Sequence, residues 1–478
     1  MRKSVVRMVN KKYDLIIIGG GAAAFAAANT ANKLKKRTLM INDKTILPMG
    51  GTCVNVGCVP SKVMLHQGET IFYPPRTEFS ALKVSGKGDF VKALKETREM
   101  AAGFQYSNYG KVIESQKFVE FKEGRGGFKD ENTIVVDGEE FKGEKILIAT
   151  GASTFIPKIK GIDEVDYLTN KSVFFDLKEK PKSITIFGGG ASAIEFSQIF
   201  AHFGIKVVVI QRSEKILTKQ EPEISKALQK YLEEEGIIIH TGTNIKEVKN
   251  KGKLVSVIFD KNGEEIIVDS EKLFMAQGLK PHTENIGVEN SGIELNKRGF
   301  VKVNEFLQTN KPHIYAIGDV NGLMPLETVA AKQGAAAANN MFGEEKKMLN
   351  YDEIPSAVFT YPQVASVGIT EEEYMKKYNT CLCKTVDWNH VEKAAAIKET
   401  KGMLKMVIDP KTKVVLGVHI LGPMAADIIT TATYAIKNKM TIYDIRDTVH
   451  VFPTLSEIIK KAAQSFEQNL DEMSCCVE

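Results

Sequence analysis

The chain has no apolar run approaching the roughly 18 residues that a membrane-spanning helix needs. Its longest near the N-terminus, Leu15 to Ile18, reads as a buried strand. The start, Met1-Arg2-Lys3, is basic, but no apolar stretch of signal-peptide length follows. Cysteine is scarce, with 6 among 478 residues, which excludes the disulfide framework of a small secreted scaffold. One-sided charge is also missing. The net charge is +5, and the basic residues are scattered (Lys33, Lys35, Lys36, then Lys206, Lys249, Lys251) without the clustering of a nucleic-acid footprint. Low-complexity segments are absent. These absences predict a cytoplasmic protein that contacts neither membrane nor nucleic acid.

What is present is the composition of an ordinary enzyme, 43% hydrophobic and 26% charged, in a chain long enough for about three domains. Tyr13 to Ile18 is a short apolar strand running into Gly19-Gly20-Gly21-Ala22-Ala23-Ala24. An alanine-rich helix follows to about Lys36, then a strand over Arg37 to Ile41. The unit recurs as strand Ser183 to Phe187, loop Gly188-Gly189-Gly190-Ala191-Ser192-Ala193, helix through His202, and strand Lys206 to Ile210. Two dinucleotide folds in one chain suggest a two-cofactor relay.

Each loop has the form G-x-G-x-x-A. Gly19 and Gly21, then Gly188 and Gly190, permit a tight turn and close approach of a pyrophosphate to a helix N-terminus. Ala24 and Ala193 occupy a position that needs only a small side chain. An acidic residue is expected after the second strand for a ribose hydroxyl; in the first unit Asn42 or Asp43 must serve. The second unit ends Ile210-Gln211-Arg212-Ser213 and offers no carboxylate. Arg212, helped by Lys215, suits a 2′-phosphate and so predicts NADPH over NADH; the plainer alternative is a solvated strand-end cation.

Between the folds, Phe118 to Ile148 alternates like an antiparallel meander and ends at Ala149-Thr150-Gly151. A similar alternation over Val255 to Phe274 ends at Ala276-Gln277-Gly278. Beyond Asn350 the texture changes to a third, mixed α/β region.

Four cysteines carry the chemistry. Cys53 and Cys58 lie in Gly50-Gly51-Thr52-Cys53-Val54-Asn55-Val56-Gly57-Cys58-Val59-Pro60-Ser61-Lys62. Their spacing at the first turn of a helix lets the sulfurs approach bonding distance, and the helix N-terminus with Lys62 favours a thiolate. Cys475 and Cys476 are adjacent near the end of the chain, poorly placed for a relaxed disulfide but suited to a soft metal ion. Cys381 and Cys383 alternate onto one face of a strand; packing there is the simple reading and a secondary metal site the sharper one.

The thirteen-residue redox segment closely resembles that of the FAD-dependent pyridine nucleotide–disulfide oxidoreductases. Ala149-Thr150-Gly151, Tyr315-Ala316-Ile317-Gly318-Asp319 and Val358-Phe359-Thr360-Tyr361-Pro362 extend the likeness along nearly the whole chain. The resemblance implies an α/β fold: two Rossmann-like dinucleotide-binding domains and a C-terminal α+β dimerisation domain. It implies an FAD domain over 1–154, an NADPH domain over 155–271, a return segment over 272–349 and a dimerisation domain over 350–478. Gly51, Thr52, Thr150, Gly151, Gly318 and Asp319 would attend the flavin, and Gly278 the second dinucleotide. Lys62 and Glu195 would pair near the flavin ring, with Cys58 as the thiolate facing it and Cys53 as the interchange thiol.

Within that family, disulfide reductases carry a histidine immediately before Pro-Thr near the C-terminus. Here Phe452 precedes Pro453-Thr454, and a phenyl ring moves no proton. His450 lies two residues earlier, displaced by about 7 Å on an extended segment. With the Ser474-Cys475-Cys476 tail, this resembles the mercuric reductase branch. That implies a homodimer with shared active sites, in which the partner subunit's Cys475 and Cys476 pass Hg(II), arriving as a thiol complex, to Cys53 and Cys58. The alternative is a dihydrolipoamide dehydrogenase-like reductase relying on His450. Thr454 and Ala191 stand where some mercuric reductases have aromatic residues, and no separate module with its own C-x-x-C is seen.

Overall fold

The computed structural model describes residues 11–473; Cys475 and Cys476 lie outside them. Strand β1 (Lys11–Ile18), helix α1 (Ala22–Lys33) and strand β2 (Thr38–Asn42) form the first βαβ unit. Leu15, Ile16, Ile17 and Ile18 are all buried, as a strand covered on both faces requires. β1 pairs in parallel with β2 and with Glu139–Ile148. Ile314–Ala316 returns to pair with Glu139–Ile148, so the late Gly318-Asp319 segment enters the first sheet. α1 lies against the helix Glu327–Phe342. A Cβ at Gly334 would come within 2.2 Å of the Ala23 carbonyl, so this close crossing requires glycine and fixes where Glu327 begins its helix.

The second dinucleotide fold carries a parallel sheet in the order Ile238–His240, Lys206–Ile210, Ser183–Phe187, Lys272–Met275, Tyr167–Leu168. Its helix is Ala191–His202. A three-stranded antiparallel sheet, Thr243–Lys251, Leu254–Lys261 and Glu264–Ser270, stands beside it. Ala152–Thr154 and Leu279–Pro281 pair antiparallel where the chain leaves and re-enters the first fold.

Two details differ from the alternation in the sequence. Val119–Glu123 pairs in parallel with β2 at the sheet edge instead of joining the meander. Lys272–Met275, placed by its sequence in the return segment, completes the second sheet. A four-residue apolar strand does not declare which sheet it enters, and we accordingly put the boundary of the return segment near residue 279.

The C-terminal region is a five-stranded antiparallel sheet in the order Ser356–Val358, Gln363–Gly368, Val415–Gly422, Met403–Ile408, Leu382–Asp387. Its core includes Trp388, Ile420, Ile428 and Ile459. Tyr434, Val449, Val451 and Phe452 are left exposed, an apolar set fit for burial against another subunit.

Candidate active site

The redox segment folds as two helices, α2 (Gly51–Val56) and α3 (Cys58–Phe72). Gly57 separates them: a Cβ there would lie 2.9 Å from the Thr52 carbonyl oxygen. Cys53 therefore belongs to the short helix and Cys58 opens the long one, where the sequence had suggested a single turn. Both cysteines are free. The Gly50 amide donates to the Gly20 carbonyl at 2.7 Å, which joins the redox segment to the first glycine loop.

Together these elements wall a cleft of about 390 Å³, within the range of small-molecule sites. Gly19, Gly21, Asn42, Asp43, Gly51 and Thr52 line it, as do Cys53, Cys58, Thr150, Gly151, Gly318 and Asp319. Ala24 is fully buried behind the loop. Asn42 donates to the Leu47 carbonyl, and its side chain packs on Gly20. Asp43 accepts from Thr45 and pairs with Arg125 at 2.9 Å. Burial pushes its carboxyl up, but the Thr45 and Arg125 hydrogen bonds outweigh this and hold it below the usual carboxylate range.

The cleft fits FAD. Gly21 caps α1 without any side-chain hydrogen bond, which leaves the helix N–H groups open to a pyrophosphate. The half-buried Asp319 carboxylate has no hydrogen-bond partner among the described residues, and burial raises it to about 6. It faces the same cleft as an acceptor awaiting hydroxyl donors. In the second fold, a Cβ on Gly190 or Gly278 would meet nothing within 4 Å, whereas one on Gly188 would collide with the Ala276 carbonyl. Ala193 is buried. Arg212 is exposed and makes no ion pair among the described residues. Lys215 donates to the Gln220 carbonyl at 2.8 Å.

One turn beyond Cys58 on α3, Lys62 Nζ contacts the two Glu195 oxygens at 3.0 and 2.9 Å and lies 4.2 Å from the centre of the Phe359 ring. Glu195 is buried and also accepts from the Phe359 amide at 2.9 Å. The hydrogen bond from Cys53 stabilises Cys58 as thiolate, and the Lys62 charge adds to this against the cost of burial. Cys53 shifts the other way, raised by its hydrogen bond to Cys58, by burial and by Glu327.

Glu327 carries no signal in the sequence, where it reads as an ordinary acidic residue at a helix start. The fold sets its carboxylate against the Cys53 thiol, which donates to it, and the Tyr109 hydroxyl donates to the same carboxylate at 3.3 Å. The ligand atoms of Cys53, Cys58 and Glu327 all lie within 4.8 Å of one another. His450 lies outside this group, with Nε2 at 3.3 Å from the Ile445 carbonyl, and Phe452 is half-exposed. Among the described residues no helix is long and apolar enough to cross a membrane.

Residues 13–334 match the pyridine nucleotide-disulphide oxidoreductase family, and residues 354–463 match that family's dimerisation domain. The mercuric reductase of Staphylococcus aureus is 36% identical over 97% of this chain and 84% of its own length. The dihydrolipoyl dehydrogenase of Thermus scotoductus is 33% identical over 96% and 98%. Among solved structures, the Cu(II) complex of the HOCl-induced flavoprotein disulfide reductase RclA from Escherichia coli superposes with a TM-score of 0.85. It is 26% identical and covers 95% of this chain and 99% of that one. With its redox segment, its paired dinucleotide folds and these matches, the chain belongs to the pyridine nucleotide–disulphide oxidoreductase family and is an NAD(P)H-dependent flavoprotein oxidoreductase.

Proposed function

We propose that this enzyme uses NADPH to reduce Hg(II) to Hg(0), as a cytoplasmic homodimer with shared active sites. The observation that carries this reading is the convergence of Cys53, Cys58 and Glu327 at the cleft floor, a pair of soft donors backed by a carboxylate. FAD bound in the cleft would relay electrons two at a time from NADPH: one pair opens a Cys53–Cys58 disulfide, and the pair from a second NADPH reduces the ion that the open pair holds.

The protein residues prepare that event. Arg212 pairs with the 2′-phosphate of NADPH, while Gly190 leaves room for its pyrophosphate. Lys62, held by Glu195, keeps positive charge beside Cys58 and maintains it as thiolate. The Cys58 thiolate displaces one small thiolate from Hg(II). Cys53 displaces the second as its proton passes to Glu327, which returns that proton to the departing thiolate. No histidine is needed, in keeping with Phe452. Reduced mercury leaves because the neutral atom has little affinity for thiolates. The partner subunit's Cys475 and Cys476 capture the ion from competing thiols and deliver it inward.

NADPH oxidation driven by HgCl₂ in excess thiol tests the reading. Hg-dependent turnover should exceed turnover of lipoamide or glutathione disulfide. Cys475→Ala/Cys476→Ala should lose activity mainly when competing thiol is abundant, and unchanged kinetics at every thiol ratio would sink the relay. Glu327 beside Cys53 also favours a second reading, a disulfide reductase using a carboxylate as its acid–base group. Faster turnover of an organic disulfide than of Hg(II) would establish that reading instead.

A further inference from the structure

The remaining two described cysteines lie away from the cleft. Cys381 precedes the strand Leu382–Asp387, and Cys383 lies on it, opposite Val407 of the neighbouring strand. Glu371 opens the helix Glu371–Tyr378, capped by Thr370. The ligand atoms of Glu371, Cys381 and Cys383 lie within 4.8 Å of one another. Two donors on one ion, with bonds of about 2.0–2.3 Å, stand at most about 4.6 Å apart. Side-chain rotations of an ångström or less therefore close the set around a cation.

The surroundings carry excess negative charge. Lys405, buried on the next strand, contacts Glu221 at 3.1 Å and also Glu223 and Glu371. Three carboxylates face one ammonium, and burial lowers the pKa of the adjacent His419, so the group carries two surplus negative charges. Burial also keeps both cysteines as thiols, and with Glu371 it holds Cys383 at about 12. Tyr374 faces Cys381 from the helix that carries Glu371. An incoming dication displaces two thiol protons and leaves the net charge of the cluster as it was.

We propose that Cys381, Cys383 and Glu371 form a second metal site, for a thiophilic divalent ion of the Zn(II), Cd(II) and Hg(II) class. Two sulfurs select such ions over Mg(II) or Ca(II). None of the three residues lines the flavin cleft, so the ion is bound there without being reduced. Through Glu371 and Lys405 the site touches Glu221 and Glu223, which lead into the helix Pro222–Glu234 of the second dinucleotide fold.

The test uses the flavin-loaded full chain with Cys53, Cys58, Cys475 and Cys476 changed to serine, which leaves Cys381 and Cys383 as its only thiols. Cd(II) is titrated against the ultraviolet thiolate-to-metal band, with equilibrium dialysis for stoichiometry. One Cd(II) per chain should bind. Cys381→Ser on this background should abolish the band, and Glu371→Gln should weaken affinity by about tenfold or more. A missing band, or affinity indifferent to Cys381→Ser, overturns the site. In unmodified protein, Cd(II) should protect Cys381 and Cys383 from alkylation read by peptide mass, and equal labelling with and without Cd(II) overturns it independently of variant folding.

Discussion

Replacing Glu69 by glutamine should make the protein more stable above neutral pH and leave it unchanged in acid. Glu69 sits on α3, eleven residues beyond Cys58, on a face turned toward Glu235. Glu235 is fixed by His202 at 3.1 Å and Gln198 at 3.0 Å, with the Tyr73 hydroxyl also donating to it. Burial first, and the Glu235 charge second, raise Glu69 from 4.5 to about 7. That difference corresponds to roughly 3 kcal/mol. A quarter of the side chain remains exposed, and screening by water there reduces the effect to about 2 kcal/mol.

The sign follows from proton binding. Between pH 4.5 and about 7 the unfolded chain has lost this proton while the folded one keeps it, so stability falls as pH rises through that window. The cost is fully present above about pH 7 and absent below 4.5. Glutamine carries no charge at any of these values. At roughly 2.1 cal/mol/K per residue the whole chain unfolds with about 1 kcal/mol/K, so the variant should melt about 2 °C higher at pH 8 and level with the parent at pH 4.5. Differential scanning at matched pH reads this difference directly. Parallel Tm–pH curves for the two proteins would refute the placement of a strained carboxyl on α3.

Arg212→Ala should raise KM for NADPH by about 10–100-fold and leave KM for NADH unchanged, because the proposed charge-assisted contact with the 2′-phosphate, of about 1.5–3 kcal/mol, would be lost and no ion pair among the described residues is broken. Steady-state kinetics with both coenzymes checks it. Glu327→Gln should slow Hg(II)-dependent turnover by about 100-fold, the effect of removing a general base. The same change removes a negative charge from beside Cys53, so its alkylation by iodoacetamide should reach half-maximal rate at a lower pH than in the parent. Phe452→His should raise glutathione disulfide turnover while Hg(II) turnover holds, which comparative assays on the dimer will show.

Much of the architecture was legible because glycine loops interrupt apolar strands in a way few other folds permit. Leu15 to Ile18 followed by Gly19-Gly20-Gly21 announces both a buried strand and the exposed end of a helix. Lys62 and Glu195, 133 positions apart, were joined only by family resemblance, and nothing in their local sequence foretells a bidentate pair. Glu327 escaped notice for a similar reason. An acidic residue in the first turn of a helix is ordinary, and its role depends on a crossing with α1 that Gly334 allows. Gly57 was visible, but its effect in splitting the redox segment depends on a carbonyl contact that sequence alone does not disclose. Short strands such as Lys272–Met275 are ambiguous because hydrophobicity specifies burial without specifying a neighbour.

The paired strands Ala152–Thr154 and Leu279–Pro281 give the second dinucleotide fold the topology of an insert. Thr154 stands opposite Leu279, so the chain departs and returns at one doorway. A turn of a few residues could join those two positions and leave the first sheet, including the strand Ile314–Ala316, uninterrupted. The insert is nonetheless tied to the redox segment, because Glu195 on its helix holds Lys62 of α3, so exchanging the second fold would also disturb the charge beside Cys58.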